Sequence, residues 1–311
     1  MKLKSIKVAV PATVSNVGCG FDIMGFAVDV VCDEVTLKLT NKKGIRISKI
    51  SGDNGKLPRD IESNTFGKAV QEIVTDLKLD VGLDISIKKV IGFGSGLGSS
   101  AASAVAGVFA VNKLLNLRLT KMQLLNYALK GEEVASKAIH ADNVAPCLFG
   151  GFVLIRGYNP VDIINIKAPK NLYCTIIHPQ IEIKTSEARK ILPKEIPLKT
   201  AVTQWGNVGG LIAGLYTNDI NLIGRSVQDE VAEPKRAILI PGFEEIKNSA
   251  LNAGAVACSI SGSGPAIFAF SDNIETANEI GKSMNNAAIK NGLKNKIYVS
   301  KINSSGPKVI K

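Results

Sequence analysis

Aromatic residues are scarce in this chain: tryptophan, tyrosine and phenylalanine together make up 5% of 311 residues. The basic residues are spread along the chain without interleaved rings, so a formal net charge of +11 does not describe a base-stacking surface. Nucleic acid is therefore not an expected partner, and the charge is left to a solvated lysine-rich surface or an anionic small substrate. Cysteine is sparse too. Cys19, Cys32, Cys147, Cys174 and Cys258 are odd in number and contain no C-x-x-C pair, which argues against a disulfide framework or a zinc site. They are expected to be reduced and mostly buried, in a cytoplasmic protein. No apolar run approaches a membrane span, and MKLKSIKVAVP offers too short an apolar stretch before Pro11 for a signal peptide, so no membrane role is expected.

What is present is 45% hydrophobic content over a length able to bury a substantial core. Strand-like and helix-like stretches alternate without repeats or low-complexity tracts, which predicts an α+β fold. The best junction follows the strand-like GGFVLIRG, near Tyr158 to Lys170, and divides the chain into residues 1–165 and 166–311. In the second part PKNLYCTIIHP and AVACSISGSGPAIFAF read as strands, and residues 274–291 as a helix.

GFGSGLGSSAAS, residues 92–103, places glycine at 92, 94, 96 and 98. The alternating LDISIKK before it reads as a strand, and Ala104, Val108, Val111 and Leu115 after it share a helical face. A glycine-rich turn opening a helix exposes amide N–H groups at the positive end of the helix dipole, where phosphate binds well. A plain tight turn is the alternative, but it needs only one or two glycines. Neither the Walker pattern nor G-x-G-x-x-G fits, because no lysine follows Gly98 and no third glycine falls in place.

Further polar groups recur in clusters. Ile6, Val8 and Val10 alternate as a strand that Pro11 should interrupt, before a polar loop with Thr13, Ser15, Asn16 and Asp22. Such groups stabilise turns singly and suit a small polar ligand together. Thr120 and Gln123 have capping-box spacing, and the helix they open puts Leu125, Leu129 and Glu132 on one face, with Glu133 turned away. An inward Glu132 suits a bound cation; a rim glutamate at the end of the apolar stripe is the alternative. HADNVAPCLFGG gathers His140, Asp142 and Asn143, KTSEAR supplies Thr185 and Arg189, and EPKRAILIPGF supplies Arg236, whose planar fork suits carboxylate or phosphate.

PATVSNVGCGFD, GSGLGSSAAS and ISGSGPA together resemble the three motifs of the GHMP kinases, and HADNVAPCLFGG and KTSEAR are similar to the homoserine kinase branch, so the likeness spans nearly the whole chain. The resemblance implies a nucleotide-binding N-terminal domain like the second domain of ribosomal protein S5, a ferredoxin-like C-terminal domain, and an active site between them. It implies ATP and Mg2+ as cofactors and L-homoserine as substrate. Residues Gly92, Phe93, Gly94, Ser95, Gly96, Leu97, Gly98, Ser99, Ser100, Ala101 and Ala102 would then form the nucleotide loop, Asn64 would contact adenine, and Ser100 and Glu132 would serve the metal. Asn16, Asp22, His140, Asn143, Thr185, Arg189 and Arg236 would form the substrate pocket, with Asp22 attracting the ammonium and the arginines holding the carboxylate.

For catalysis the resemblance singles out Asn143 and Asp142, the latter read as a structural or electrostatic residue rather than a base, since phosphoryl transfer rests mainly on positioning and charge stabilisation. Gly92 and Cys19 stand where the family often has proline, which loosens the backbone without removing a reacting group. The implied reaction makes O-phospho-L-homoserine for threonine biosynthesis; the alternatives are another small-molecule kinase of the family or a non-catalytic nucleotide- or RNA-binding protein. A homodimer is a candidate assembly.

Overall fold

The computed structural model describes residues 4–136 and 140–310. In chain order they form β1 (Ser5–Ser15), β2 (Met24–Thr40), β3 (Gly44–Ser51), α1 (Thr65–Asp76), β4 (Gly82–Lys88), α2 (Ser99–Leu115), α3 (Lys121–Ser136), α4 (Ala141–Phe149), β5 (Phe152–Tyr158) and β6 (Val161–Ile166). There follow β7 (Tyr173–Pro179), α5 (Thr185–Lys190), α6 (Leu198–Thr217), α7 (Ile220–Ser226), α8 (Glu233–Arg236), a short 3-10 turn, α9 (Phe243–Asn252), β8 (Ala257–Ile260), β9 (Ile267–Ser271), α10 (Ile274–Lys290), β10 (Asn295–Lys301) and β11 (Lys308–Ile310).

The strands form two sheets. One has seven strands, ordered β11-β1-β2-β4-β3 with β5 beside β2 and β6 beside β5; the other has four, ordered β10-β7-β9-β8. The α+β architecture expected from the alternating elements is therefore present. Parallel β3 and β4 are joined through α1, because parallel neighbours need a crossover. The chain ends by returning β11 to the edge of β1, so its last strand closes the sheet that its first strand opened.

Pro11 does not interrupt β1 as expected. The strand continues to Ser15 because the register against β2 jumps between Pro11 and Ala12, from Pro11 opposite Cys32 to Ala12 opposite Val28. A bulge absorbs the missing N–H, and it carries Thr13 and Ser15 on the end of a strand rather than in a loop.

Two apolar clusters hold the layers. Strand β9 belongs to both, with Phe268 and Phe270 facing the larger sheet while Ile267 and Ala269 face α9 and α10, as the two-residue period of a doubly buried strand requires. Phe26 meets Phe152 at 4.8 Å and Phe270 at 5.3 Å between ring centroids, so a small cluster of phenylalanines welds the two sheets together. The four cysteines Cys19, Cys147, Cys174 and Cys258 are buried, Cys32 is half-buried, and all are free thiols. Among the described residues no helix is long and apolar enough to cross a membrane.

Candidate active site

A cavity of about 710 Å3 opens where the glycine-rich loop, the β1–β2 loop, the start of α4, α5 and the end of α8 converge. The glycine-rich stretch joins β4 to α2 as the sequence predicts, and Gly98 caps the helix in the left-handed conformation at φ 67°. A side chain there is excluded by space as well as by backbone angle, since a Cβ would fall 2.0 Å from Thr13 Oγ1 and 2.9 Å from Asn143 Oδ1. At Gly96 a Cβ would lie 2.4 Å from the Ser261 carbonyl. The loop is thus pressed between β1 and the SGSGP turn linking β8 to β9.

That turn, the third recognised motif, works through its backbone. Ser261 Oγ donates to the Gly96 carbonyl at 2.6 Å, Ala266 N–H to the Ser95 carbonyl at 3.1 Å, and Gly262 N–H to the Ser15 carbonyl at 3.0 Å. It pins both the phosphate-type loop and the β1–β2 loop. The latter is strained: Asn16, Val17 and Asp22 all have positive φ, at 71°, 46° and 59°, arrangements that cost about 1–3 kcal/mol each and persist only where the surroundings enforce them. Here Asn16 Nδ2 donates to the Gly262 carbonyl at 2.8 Å and the Asp22 N–H donates to Asn16 Oδ1 at 3.1 Å.

Beneath the glycine loop lies a charged pair with no signal in the sequence. Lys89 and Asp33 are both buried and paired; Lys89 Nζ also donates to the Ser99 carbonyl at 2.9 Å and Ser103 Oγ at 3.0 Å. Asp33 Oδ1 accepts the N–H groups of Val90 at 2.7 Å and Ile91 at 3.0 Å. The pair therefore ties the start of the loop to the first turn of α2.

Glu132 is 2% exposed whereas Glu133 is exposed, as the helix face predicts, and the Thr120–Gln123 capping box opens α3. Ser100 Oγ lies 2.7 Å from Glu132 Oε1 and His140 Nδ1 lies 3.8 Å from the same oxygen, an ion-pair distance that draws the imidazole pKa upward. Two hard oxygen donors side by side at the mouth of the glycine loop are the donor chemistry Mg2+ takes when phosphates supply the rest.

On the opposite wall, Arg189 grips Asp22 with two hydrogen bonds of 2.8 Å, and its guanidinium lies 5.6 Å from the Phe21 ring. Arg236, buried at the end of α8, donates to the Gly262 carbonyl at 2.9 Å and lies 5.0 Å from the same ring. Burial lowers the Arg236 pKa from its very high ordinary value, and the Asp22 hydrogen bond raises that of Arg189. Both guanidinium groups thus lie against one aromatic ring. Asn143 stands in the first turn of α4, its Oδ1 accepting from Thr13 Oγ1 at 2.8 Å and its Nδ2 donating to Ser15 Oγ at 2.9 Å. Asp142 beside it is 2% exposed, and its Oδ1 has no hydrogen-bond partner. Burial first, and then the Asp22 charge, push its carboxyl up to about 6.

The structure brings Asn16, Asp22, His140, Asp142, Asn143, Thr185, Arg189, Arg236, Ser100, Glu132 and residues 92–99 to one cavity. It does not bring Asn64, Ala101 or Ala102 there. Asn64 caps α1, accepting from the Phe66 and Gly67 N–H groups and donating to the Pro58 carbonyl at 2.7 Å, and it is buried there. Ala101 and Ala102 are wholly buried in α2 beneath the loop. The sequence reading missed Phe21, Lys89 and Asp33, and also Lys184 and Ser263, which line the cavity. Phe21 could have been found as the aromatic inside GCGFD; the Lys89–Asp33 pair joins residues 56 positions apart and leaves no local trace.

Residues 64–151 match the GHMP kinases N terminal domain, and residues 211–290 match GHMP kinases C terminal. The chain is 48% identical to homoserine kinase of Chlorobium phaeobacteroides (strain BS1), with 99% of this chain and 100% of that one covered. Homoserine kinase of Chlorobium phaeovibrioides is 49% identical over the same shares. The crystal structure of homoserine kinase from Cytophaga hutchinsonii has a TM-score of 0.98 and 54% identity, covering 100% of this chain and 98% of that one.

Proposed function

The chain belongs to the homoserine kinases of the GHMP kinase family, and from that premise we propose how its residues divide the work. It transfers the γ-phosphate of ATP to the side-chain hydroxyl of L-homoserine, giving O-phospho-L-homoserine on the route to threonine. The observation that carries the assignment of roles is a single cavity with an anion-binding loop on one wall and paired opposite charges, Asp22 and Arg189, on the other.

The glycine loop, with the N-terminus of α2 behind it, receives the ATP phosphates through backbone N–H groups. Lys89 and Asp33 hold that loop in register with the helix. Ser100 and Glu132 would hold Mg2+, which supplies positive charge to the phosphate oxygens. Asn64 is buried at the start of α1 and does not line the cavity, so adenine is recognised by other groups along the loop.

A zwitterionic amino acid fits the second wall. Its ammonium can take the guanidinium's place beside Asp22, with Asp142 as a second carboxylate behind, and its carboxylate can take the place of the Asp22 carboxylate beside Arg189, with Arg236 close by. Asn16 and Thr185 edge the same space. Asn143, its amide oriented by Thr13 and Ser15, aims the hydroxyl at the loop. Asp142 acts through its field: transfer through a loose transition state requires position and charge more than a strong base. Five free thiols suit the cytoplasm.

A coupled ADP-release assay with homoserine, serine, mevalonate, galactose and shikimate tests the reading. Homoserine is expected to give the highest kcat/KM, and turnover to stop in excess chelator. Higher efficiency with mevalonate or a sugar overturns the pocket assignment; undiminished turnover in chelator overturns the metal assignment.

A further inference from the structure

Glu233 is a buried carboxylate that lies outside the cavity lining. It opens α8, and both of its oxygens are held: one pairs with Lys247 on α9, while the other accepts from Ser259 Oγ and, at 3.2 Å, from the Ile260 N–H. Its own N–H donates to Asp229 Oδ2 at 2.9 Å. A buried ion pair adds little net stability over packed apolar side chains of similar volume, so stability alone does not account for a charge at this place.

What the carboxylate joins is more specific. Arg236 closes the same four-residue helix and is buried. Its Nη1 donates to the Gly262 carbonyl at 2.9 Å, and its Nε donates at 3.2 Å to the carbonyl of Ala188, the neighbour of Arg189 in α5. Gly262 stands just past the end of β8. The Arg236–Gly262 bond therefore spans α8 and the turn leaving β8, and Glu233 ties the same two segments together through Ser259 and Ile260. Two attachments fix the separation and the rotation of helix against turn, where one alone would let α8 swivel. A single helical turn has too few backbone hydrogen bonds to keep its direction unaided. The Gly262 carbonyl also accepts from Asn16 Nδ2 at 2.8 Å, so a turn displaced from α8 would carry the β1–β2 loop with it.

We infer that Glu233 is a positioning residue for the amino-acid substrate: clamped by Lys247, it locks α8 to the end of β8 and so sets the Arg236 guanidinium where the substrate carboxylate is received. Its effect is carried by Arg236 and is read in substrate capture more than in phosphoryl transfer. The inference rests on Arg236 serving the carboxylate of homoserine.

The test is a double-mutant cycle on kcat/KM for homoserine at saturating ATP, with the parent, Glu233→Gln, Arg236→Leu and the double variant. Glutamine keeps the shape and one acceptor but loses the charge that holds Lys247. Glu233→Gln should lower kcat/KM about thirtyfold in the parent, mostly through KM with kcat down less than about threefold, and should lower kcat/KM less than about threefold once Arg236 is leucine. Ser259→Ala removes one arm of the clamp without touching the ion pair and should follow the same pattern, about fivefold in the parent and under about twofold without Arg236. That cycle decides the matter if the Glu233 variant does not fold. Equal losses in both backgrounds give the clamp a general structural role and overturn the inference, as do an unchanged kcat/KM or a loss confined to kcat. An Arg236→Leu protein with undiminished kcat/KM would take Arg236 out of the pocket, overturning the pocket assignment and this inference together.

Discussion

Replacing Asp142 with asparagine should make the protein more stable at neutral pH and leave the chemical step largely intact. The carboxyl is buried, faces the Asp22 charge and is pushed from 3.8 up to about 6. Between those values the folded state holds a proton that the unfolded state has released, so the contribution of Asp142 to stability falls as pH rises through that window and stays low above it. A shift of about two units corresponds to roughly 3 kcal/mol of destabilisation at pH 7. Asparagine keeps the shape and removes the charge. Urea unfolding of Asp142→Asn and the parent should therefore differ by about 3 kcal/mol in favour of the variant at pH 7 and converge near pH 4. Homoserine KM should rise, because one of two carboxylates facing the ammonium is gone, while kcat falls less than about tenfold, below the range for loss of a general base. A variant no more stable than the parent at pH 7 would refute the burial argument. A kcat loss above roughly a thousandfold with normal homoserine affinity and a rate that newly climbs with pH would identify Asp142 as the base.

Glu132→Gln should abolish most turnover and Glu133→Gln little of it, because only Glu132 reaches Ser100 at the loop; comparable losses in the ADP-release assay would remove Glu132 from its role. Arg236→Leu should weaken homoserine binding by about 2–5 kcal/mol in calorimetry, the scale for leaving a buried charged partner unpaired. Arg189→Leu should weaken it too, with a stability change below about 1 kcal/mol because its ion pair is half-exposed. If ATP affinity collapses instead in either variant, that arginine belongs to the nucleotide. Lys89→Met leaves the Asp33 carboxylate buried without its cation, and urea unfolding should show a loss of about 3–5 kcal/mol together with weaker ADP binding; a loss under about 1 kcal/mol would show the pair does not hold the loop.

Local signals survived into the structure wherever a short stretch sets its own geometry. The glycines of GFGSGLGSS specify a left-handed loop at a helix start, the Thr120–Gln123 pair specifies a capping box, and the 3.6-residue period turns Glu132 inward and Glu133 outward. The wording of the three motifs carried the family, and with it the cluster of Asp22, Asn143, Arg189 and Arg236. What depended on distant partners was not legible. Pro11 looked like the end of a strand, and only the bulge opposite it in β2 lets β1 continue to Ser15. Asn64 looked available for a base, and only the fold shows it buried as the cap of α1 and absent from the cavity lining. Lys89 and Asp33 are ordinary in sequence and become a buried pair because β2 and β4 are neighbours in the sheet. The protonation of Asp142 belongs to the same class, since desolvation and the field of Asp22 arise only once the chain has closed around them. Sequence sets backbone conformation and side-chain period over a few residues; burial and charge coupling are sums over neighbours that only the folded chain assembles.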